Sequence, residues 1–471
     1  MGISGLVCVL SVAMYAPASL VRNPRSLARL LNEIELKTLD LRFLMRGFRT
    51  PNPAIAIVAV DQKTLDVLGH WPITRDFYAN TVDILREDGA RVIAFNIVFP
   101  EPDRNSAMQP VQRDDKTQDE VARSAVKSPA PAARLKAPEA RTDNDQKFAD
   151  AILWSHNTIL AYSLLFDLKD TKTQNKQRVR EFVSYLTFAA GLQVIHPEYG
   201  KSMNCQYCEA VGVIPDLPKL AENAKNFGFF IIVPDQDGVV RSEPLVIRFQ
   251  NNYYLSLDVA AVVAYNNLSP HKVAAFLNSN GLEGIELASR AIRTDPDGYV
   301  QINYRGPAGT YPTYSFGDVI QGKIPASAFK DKIVLIGVTA NGIVETSGVP
   351  FQTSGFPGVE VHANIMDNLL SGQFIHRGPR ENLADIGLII LFSLAPGLLL
   401  GCISPMRATV LVAIISLAFL WLAYYLFASH HVWLSVLFPI TALASSYGGI
   451  VAYYFLIGRI SPDPREANGR N

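Results

Sequence analysis

Cysteine is scarce, with four among 471 residues, which excludes a scaffold stapled by several disulfides. Cys8 and Cys402 lie in apolar runs and read as inert thiols. Cys205 and Cys208 form a CQYC in a polar loop, where Glu209 occupies the position at which haem attachment requires histidine. A local disulfide between Cys205 and Cys208 is the expectation, with two free thiols as the alternative. Zinc would need two further ligands that the neighbouring sequence lacks, so no metal site is assigned. Net charge is missing too, with Lys+Arg 43 against Asp+Glu 43, which argues against a nucleic-acid partner. The chain carries no GxSxG, no HExxH and no nucleophile and base at a recognised spacing. Gly337–Gly342 has the span of a phosphate loop, but Ile343 and Val344 replace its Lys and Ser/Thr. No catalytic residue and no cofactor is assigned, and an enzyme is not expected.

Ionised side chains are absent from Ile386–Ser404, from Ala408–Phe427 and from Trp433–Gly458. Each run has roughly the 20 residues a helix needs to cross a hydrocarbon layer of about 30 Å. The expected spans are 384–404, 408–428 and 432–458, joined by tight reversals, with a polar tail at 459–471. Residues 1–21 are a fourth apolar stretch; lacking a basic leading segment, they read as an uncleaved anchor rather than a signal sequence. The expectation is four transmembrane helices, one N-terminal and three C-terminal, with the lipid bilayer as a partner. Gly397 and Gly401, and Ala444, Gly448 and Ala452, recur at the four-residue spacing that lets helices approach closely. Flanking arginines do not settle orientation when all are counted. Within the hairpins, Arg407 on one side against the uncharged Ser429-His430-His431 on the other places both termini in the cytoplasm.

The intervening residues have the charge and turn content of soluble protein. Leu27, Leu30, Leu31, Ile34, Leu41, Leu44 and Met45 recur at helical spacing, so residues 22–50 read as an amphipathic juxtamembrane helix ended by Pro51 and Pro53. Ile55–Val60, Tyr78–Arg86 and Arg91–Phe95 read as strand, helix and strand, a βαβ unit that implies parallel pairing. Residues 104–141 are rich in Ala, Pro and charge and poor in aromatics, which predicts a disordered insertion. Lys169–Arg180 reads as a second surface excursion. Gly228–Val233 and Val239–Phe249 flank a Pro234–Gly238 turn and read as an antiparallel hairpin. Strands at Thr158–Leu164, Tyr299–Tyr304 and Lys332–Gly337, with helices at Leu257–Tyr265 and Val359–Leu370, complete one domain over 51–376. The fold class is α/β, with a mixed, partly parallel sheet.

Ligands of open α/β sheets collect beyond the carboxyl ends of parallel strands. The residues there are Asp61, Asn96, Glu101, Asp103, Thr339 and Asn341, and with Arg75 they are the candidate ligand-binding set. They converge only if their strands are neighbours. Oxygen ligands of this kind suit a small solute or a hard cation; the alternative is that Asp61 caps the following helix while Glu101 and Asp103 are solvated. Leu68-Gly69-His70-Trp71-Pro72 reads as structural, and His362, alone on its helix, as a partnered core histidine.

Asp40-Leu41-Arg42-Phe43-Leu44-Met45-Arg46-Gly47, Ile57–Asp61, Leu68–Pro72, Gly89–Phe95, Lys332–Gly337 and Pro357-Gly358-Val359-Glu360-Val361-His362-Ala363, in that order and followed by three apolar runs, resemble the CHASE2 extracytoplasmic sensory domain. The resemblance implies a multi-pass protein of the bacterial inner membrane with its large domain outside. One helix precedes that domain and three follow, and it signals to a cytoplasmic adenylate or guanylate cyclase or a kinase. Asn96 departs from the aspartate common in that family. Arg459–Asn471 is too short to fold as an effector, so the effector is expected to follow in a longer polypeptide or to act in trans. A structural subunit docking an extracytoplasmic assembly is the alternative, and a homo-oligomer or membrane complex is expected in either case.

Overall fold

The computed structural model describes residues 2–19, 27–103, 143–172, 174–190, 193–195, 209–250, 252–278, 281–287, 289–295, 297–340, 342–343 and 346–456. The insertion at 104–141, the tail at 459–471, Asn341, Cys205 and Cys208 lie outside the described residues.

Ile55–Val60 (β1) and Ile333–Val338 (β7) are buried along their whole length and Val92–Asn96 (β2) along nearly all of it, as continuous apolar runs require in a sheet covered on both faces. They are the centre of a seven-stranded sheet with Thr158–Leu165 (β3), Gly212–Ile214 (β4), Asn226–Phe229 (β5) and Thr313–Ser315 (β6). The order is β6-β1-β7-β2-β3, and β3 then pairs with both β5 and β4. Every pairing is parallel except β3 with β4. In register, Ala59 faces Gly337 and Gly337 faces Asn96. The mixed, partly parallel α/β class expected from the sequence is the one found.

Alternation along these strands sends Ile55, Ile57, Ala59, Val92 and Ala94 into one core with helices Leu257–Tyr265 and Gly358–Ser371. Ala56, Val58, Val60, Ile93 and Phe95 enter a second core beneath Arg75–Glu87 and Asn144–Ser155. The result is three layers, helices on sheet on helices. The expected hairpin across Pro234–Gly238 does not form. Gly228 and Phe229 belong to β5 and pair in parallel with β3, whereas Ser242–Pro244 pairs with Tyr299–Gln301 and Val246–Phe249 with Asn252–Leu255. Pro244, which has no N–H to extend a ladder, separates the last two. Lys169–Arg180 is also more than an excursion, since a helix begins at Lys176 and runs to Ala190.

The chain enters the domain through helices Gly2–Ser19 (α1) and Leu27–Arg46 (α2) and leaves it through Pro379–Cys402 (α3), Pro405–His430 (α4) and Leu437–Leu456 (α5). Two described helices, not four, are long and apolar enough to cross a membrane: Pro379–Leu400 and Met406–His430. Only 28% and 17% of these stretches are buried within the protein, so they are not core helices of a water-soluble fold. Gly2–Ala16 is apolar but shorter. In α5, Thr441, Ser445, Ser446, Tyr447, Gly448, Gly449 and the Tyr453–Tyr454 pair dilute the hydrocarbon content.

α1 lies against α3 and α5. A Cβ at Gly397 would stand 2.6 Å from Ser4 Oγ, so this glycine lets α1 approach α3, whereas a Cβ at Gly448 would meet nothing within 4 Å. The tightest approach in the sheet domain is at Gly228, where a Cβ would meet Leu257 Cα at 2.3 Å. Gly228→Ala should therefore force a backbone shift between β5 and the Leu257 helix and destabilise the domain by about 1–3 kcal/mol. A lowered denaturation midpoint on thermal unfolding of the purified chain checks this.

Candidate functional site at the junction of sheet domain and apolar helices

β1, β7 and β2 are neighbours, so the ends carrying Asp61, Thr339 and Asn96 lie side by side. The Asp61 carboxylate, however, is turned to structural work. Asp61 Oδ1 accepts the Thr64 N–H at 2.9 Å, capping the helix Gln62–Leu68, and also accepts the Thr64 and Ser315 hydroxyls at 2.6 and 2.8 Å. Thr339 donates its N–H to the Val60 carbonyl at 3.0 Å. The Nδ2 of Asn96 is buried with no partner among the described residues. Arg75, Glu101 and Asp103 form a separate group that ties down the segment after β2. The Arg75 N–H donates to Asp103 Oδ2 at 2.7 Å and its Nη2 to the Glu101 carbonyl at 3.3 Å, while its guanidinium lies 4.5 Å from the Phe99 ring centroid. The Asp103 N–H donates to Asp145, and the Glu101 side chain is exposed. Ser315, Asp145 and Asp216 are further members that were not anticipated. Asp216 accepts the Phe99 N–H at 2.7 Å in complete burial, and burial pushes its carboxyl up to about 7 against the opposing charges of Arg75 and Arg178. The strand ends are thus brought together, while Asp61, Asp103 and Arg75 hold the protein's own loops and the Asn96 amide lacks a partner among the described residues.

A different concentration of buried charge sits where the sheet domain meets the apolar helices. α2 buries Leu36, Leu39 and Phe43 in the core that also holds the Gly358–Ser371 helix. Its polar side chains reach in two directions. Toward the sheet domain, Asp40 accepts both Nε and Nη2 of Arg241, at 2.8 and 2.7 Å. The same guanidinium grips the Pro234–Gly238 turn through Asp235 at 2.8 Å and Asp237 at 2.9 and 2.8 Å. Lys37 stands 2.7 Å from Asp237. Arg241 is only 2% exposed. Burial works against its charge, but the Asp237 and Asp40 carboxylates outweigh it and hold the guanidinium's pKa above the ordinary value. One helical turn further on, Arg46 donates to Asn303 Oδ1 and to the Tyr304 carbonyl.

Toward the apolar helices, α2 meets the reversal between α4 and α5. Glu35, 2% exposed, accepts the N–H groups of Val436 at 3.1 Å and Leu437 at 2.8 Å and the indole N–H of Trp433 at 3.3 Å. A carboxylate from another helix thereby caps the N-terminus of α5. Arg42 donates to the Leu434 carbonyl at 2.9 Å and to Glu35 at 3.4 Å. From the other side, Arg377 donates to the Trp433 carbonyl at 3.0 Å and to Asp385 at 2.6 Å, and Asp385 accepts the Ser435 N–H at 3.0 Å and the Tyr15 hydroxyl at 3.1 Å. The reversal is also joined to the domain's exit segment, because the His376 N–H donates to the His431 carbonyl and the Trp433 N–H to the His376 carbonyl.

The strand-end rule did not point to Glu35, Asp40, Arg42, Arg241, Arg377 and Asp385. Two signals could have. Charged residues on an otherwise apolar helix next to membrane-length runs are costly and need partners, and Asp40, Arg42 and Arg46 all lie within the first motif that carries the family resemblance.

A family model described as CHASE2 domain matches residues 9–399. No curated protein and no solved structure matches the chain.

Asp216 gives the strand-end region a measurable pH signature. An acid whose folded pKa rises from 3.8 to about 7 supports stability below the lower value, and that support is lost as pH climbs through the higher one. Asp216→Asn keeps the acceptor for Phe99 and cannot ionise. Compared with the parent across pH 4 to 8, it should be progressively more stable toward pH 8, by up to about 4 kcal/mol. Parallel unfolding curves that keep a constant gap would contradict this.

Proposed function

The chain belongs to the CHASE2 family, whose domain is an extracytoplasmic sensory module, and on that premise we propose that its sheet domain senses a ligand or protein outside the cytoplasmic membrane. It passes the event inward through α2. Four helices anchor it, α1 before the domain and α3 to α5 after it, in the inner membrane of a bacterium. A cytoplasmic effector, a cyclase or a kinase, receives the signal, and the chain itself has no catalytic role.

The observation that carries this reading is the double engagement of α2. Asp40 and Arg46 bind the sheet domain, while Glu35 and Arg42 bind the reversal between α4 and α5. A change in the domain that displaces Arg241 moves the helix that caps α5, and signalling needs such an element with two arrangements. Arg46 also reaches the aromatic end of α4, its guanidinium standing 5.4 Å from the Phe427 ring centroid. The Asp61 region remains a second place where a small solute could engage the domain, through Asn96 and Thr339 at the ends of β2 and β7.

Two measurements test the proposal. In intact spheroplasts a membrane-impermeant amine reagent should label Lys63 and Lys323; labelling only after lysis would overturn the topology. A cyclase catalytic domain fused behind the chain should change its output several-fold in Arg241→Ala or Asp40→Ala. Output indifferent to both substitutions and to removal of the sheet domain would leave a structural subunit that docks an extracytoplasmic assembly.

A further inference from the structure

Three acid–base side chains meet in the middle of the sheet domain, far apart in sequence and away from the strand ends. Glu243 comes from the strand Ser242–Pro244, Asp258 from the first turn of Leu257–Tyr265, and His362 from the second turn of Gly358–Ser371. All three have zero exposure. His362 Nδ1 lies 3.0 Å from Asp258 Oδ2 and 3.4 Å from Glu243 Oε1, and one ligand atom of each residue lies within 4.8 Å of the others. Glu243 and Asp258 stand close enough for their carboxyl groups to interact directly, and neither Glu243 oxygen nor Asp258 Oδ1 receives a backbone, lysine or arginine donor among the described residues. The Tyr304 hydroxyl is also wholly buried, without a hydrogen-bond partner among the described residues, and the Glu243 charge acts on it.

Two carboxylates packed against one imidazole, with no lysine or arginine on the Glu243 oxygens among the described residues, leave a large desolvation deficit. A divalent cation balances it: two negative charges and one neutral imidazole sum to minus two. The spacing agrees, because ligands about 2.0 Å from a tetrahedral ion stand about 3.3 Å apart, against the 3.0 and 3.4 Å found here. One nitrogen and two oxygens suit zinc, manganese or ferrous iron rather than a soft or an all-oxygen ion. The geometry points to a divalent transition-metal site formed by Glu243, Asp258 and His362. With no exposed ligand, the ion is taken up as the domain folds and fastens the Ser242–Pro244 strand to both helices.

Metal analysis of the full chain, purified in detergent without chelator, should find about one divalent transition ion per molecule. Glu243→Gln is isosteric and relieves the buried charge, so it folds, and its metal content should fall at least tenfold. The Cys205→Ser/Cys208→Ser variant should keep the metal. Stripping the parent with a chelator should lower its unfolding temperature, and zinc or manganese should restore it. A metal-free parent whose unfolding temperature does not respond to either ion overturns the proposal and leaves a cluster that shares protons. Metal that disappears with the cysteines, or persists in Glu243→Gln, overturns it as well.

Discussion

Where water is excluded, every backbone N–H and C=O of a chain reversal must find a partner within the protein, and the reversal between α4 and α5 meets this requirement with charge. From Trp433 to Leu437, two carbonyls and three N–H groups are taken by Arg42, Arg377, Glu35 and Asp385. The four form two ion pairs, Arg42 with Glu35 and Arg377 with Asp385. Removing one member would leave its partner's charge buried and unpaired, a loss of about 3 to 5 kcal/mol. These side chains come from α2, from the exit of the sheet domain and from the start of α3, so the domain, the reversal and α3 are fitted to one another.

α2 is the piece that turns this into a mechanical link. Glu35 and Arg42 are two turns apart and so share a face, which meets the reversal. Leu36, Leu39 and Phe43 bury the adjoining stripe, and Asp40 reaches Arg241. Phe43 stands edge-on to Phe427 of α4, 5.0 Å between centroids, and to Tyr304 of the sheet domain at 6.3 Å. One aromatic ring therefore touches both bodies. A rigid helix of 20 residues, tied at several points to each side, transmits a shift instead of absorbing it.

Much of the fold was legible in the sequence for a simple reason. β1, β2 and β7 are uninterrupted apolar runs and the βαβ spacing leaves few topologies, so the parallel centre follows from pattern alone. The false hairpin at Pro234 shows the limit: strand-like residues on both sides of a turn do not reveal that each pairs elsewhere, because pairing is set by Gly228 against Leu257 and by Pro244, which are tertiary facts. The candidate site was legible only in position. Asp61, Asn96 and Thr339 do lie at adjacent strand ends, but a capping aspartate and a ligating one look identical until Thr64 and Ser315 are in place. Glu35 with Val436, Asp40 with Arg241 and Glu243 with His362 are separated by 100 to 400 residues, roughly, and no local pattern couples them.

The two buried polar systems are joined by short covalent paths. Arg241, which holds α2, is two residues from Glu243, and Tyr304 offers its carbonyl to Arg46 of α2 while its hydroxyl feels the Glu243 charge. A change in charge or packing at the cluster therefore acts on the same strand and the same tyrosine that position the juxtamembrane helix. A small slide of α2 would stretch the bidentate Arg241–Asp40 contact and the Glu35 cap together, leaving desolvated charges without partners, which raises the cost of displacing the helix. Buried charge at this joint ties α2 to the sheet domain and to the α4–α5 reversal at once.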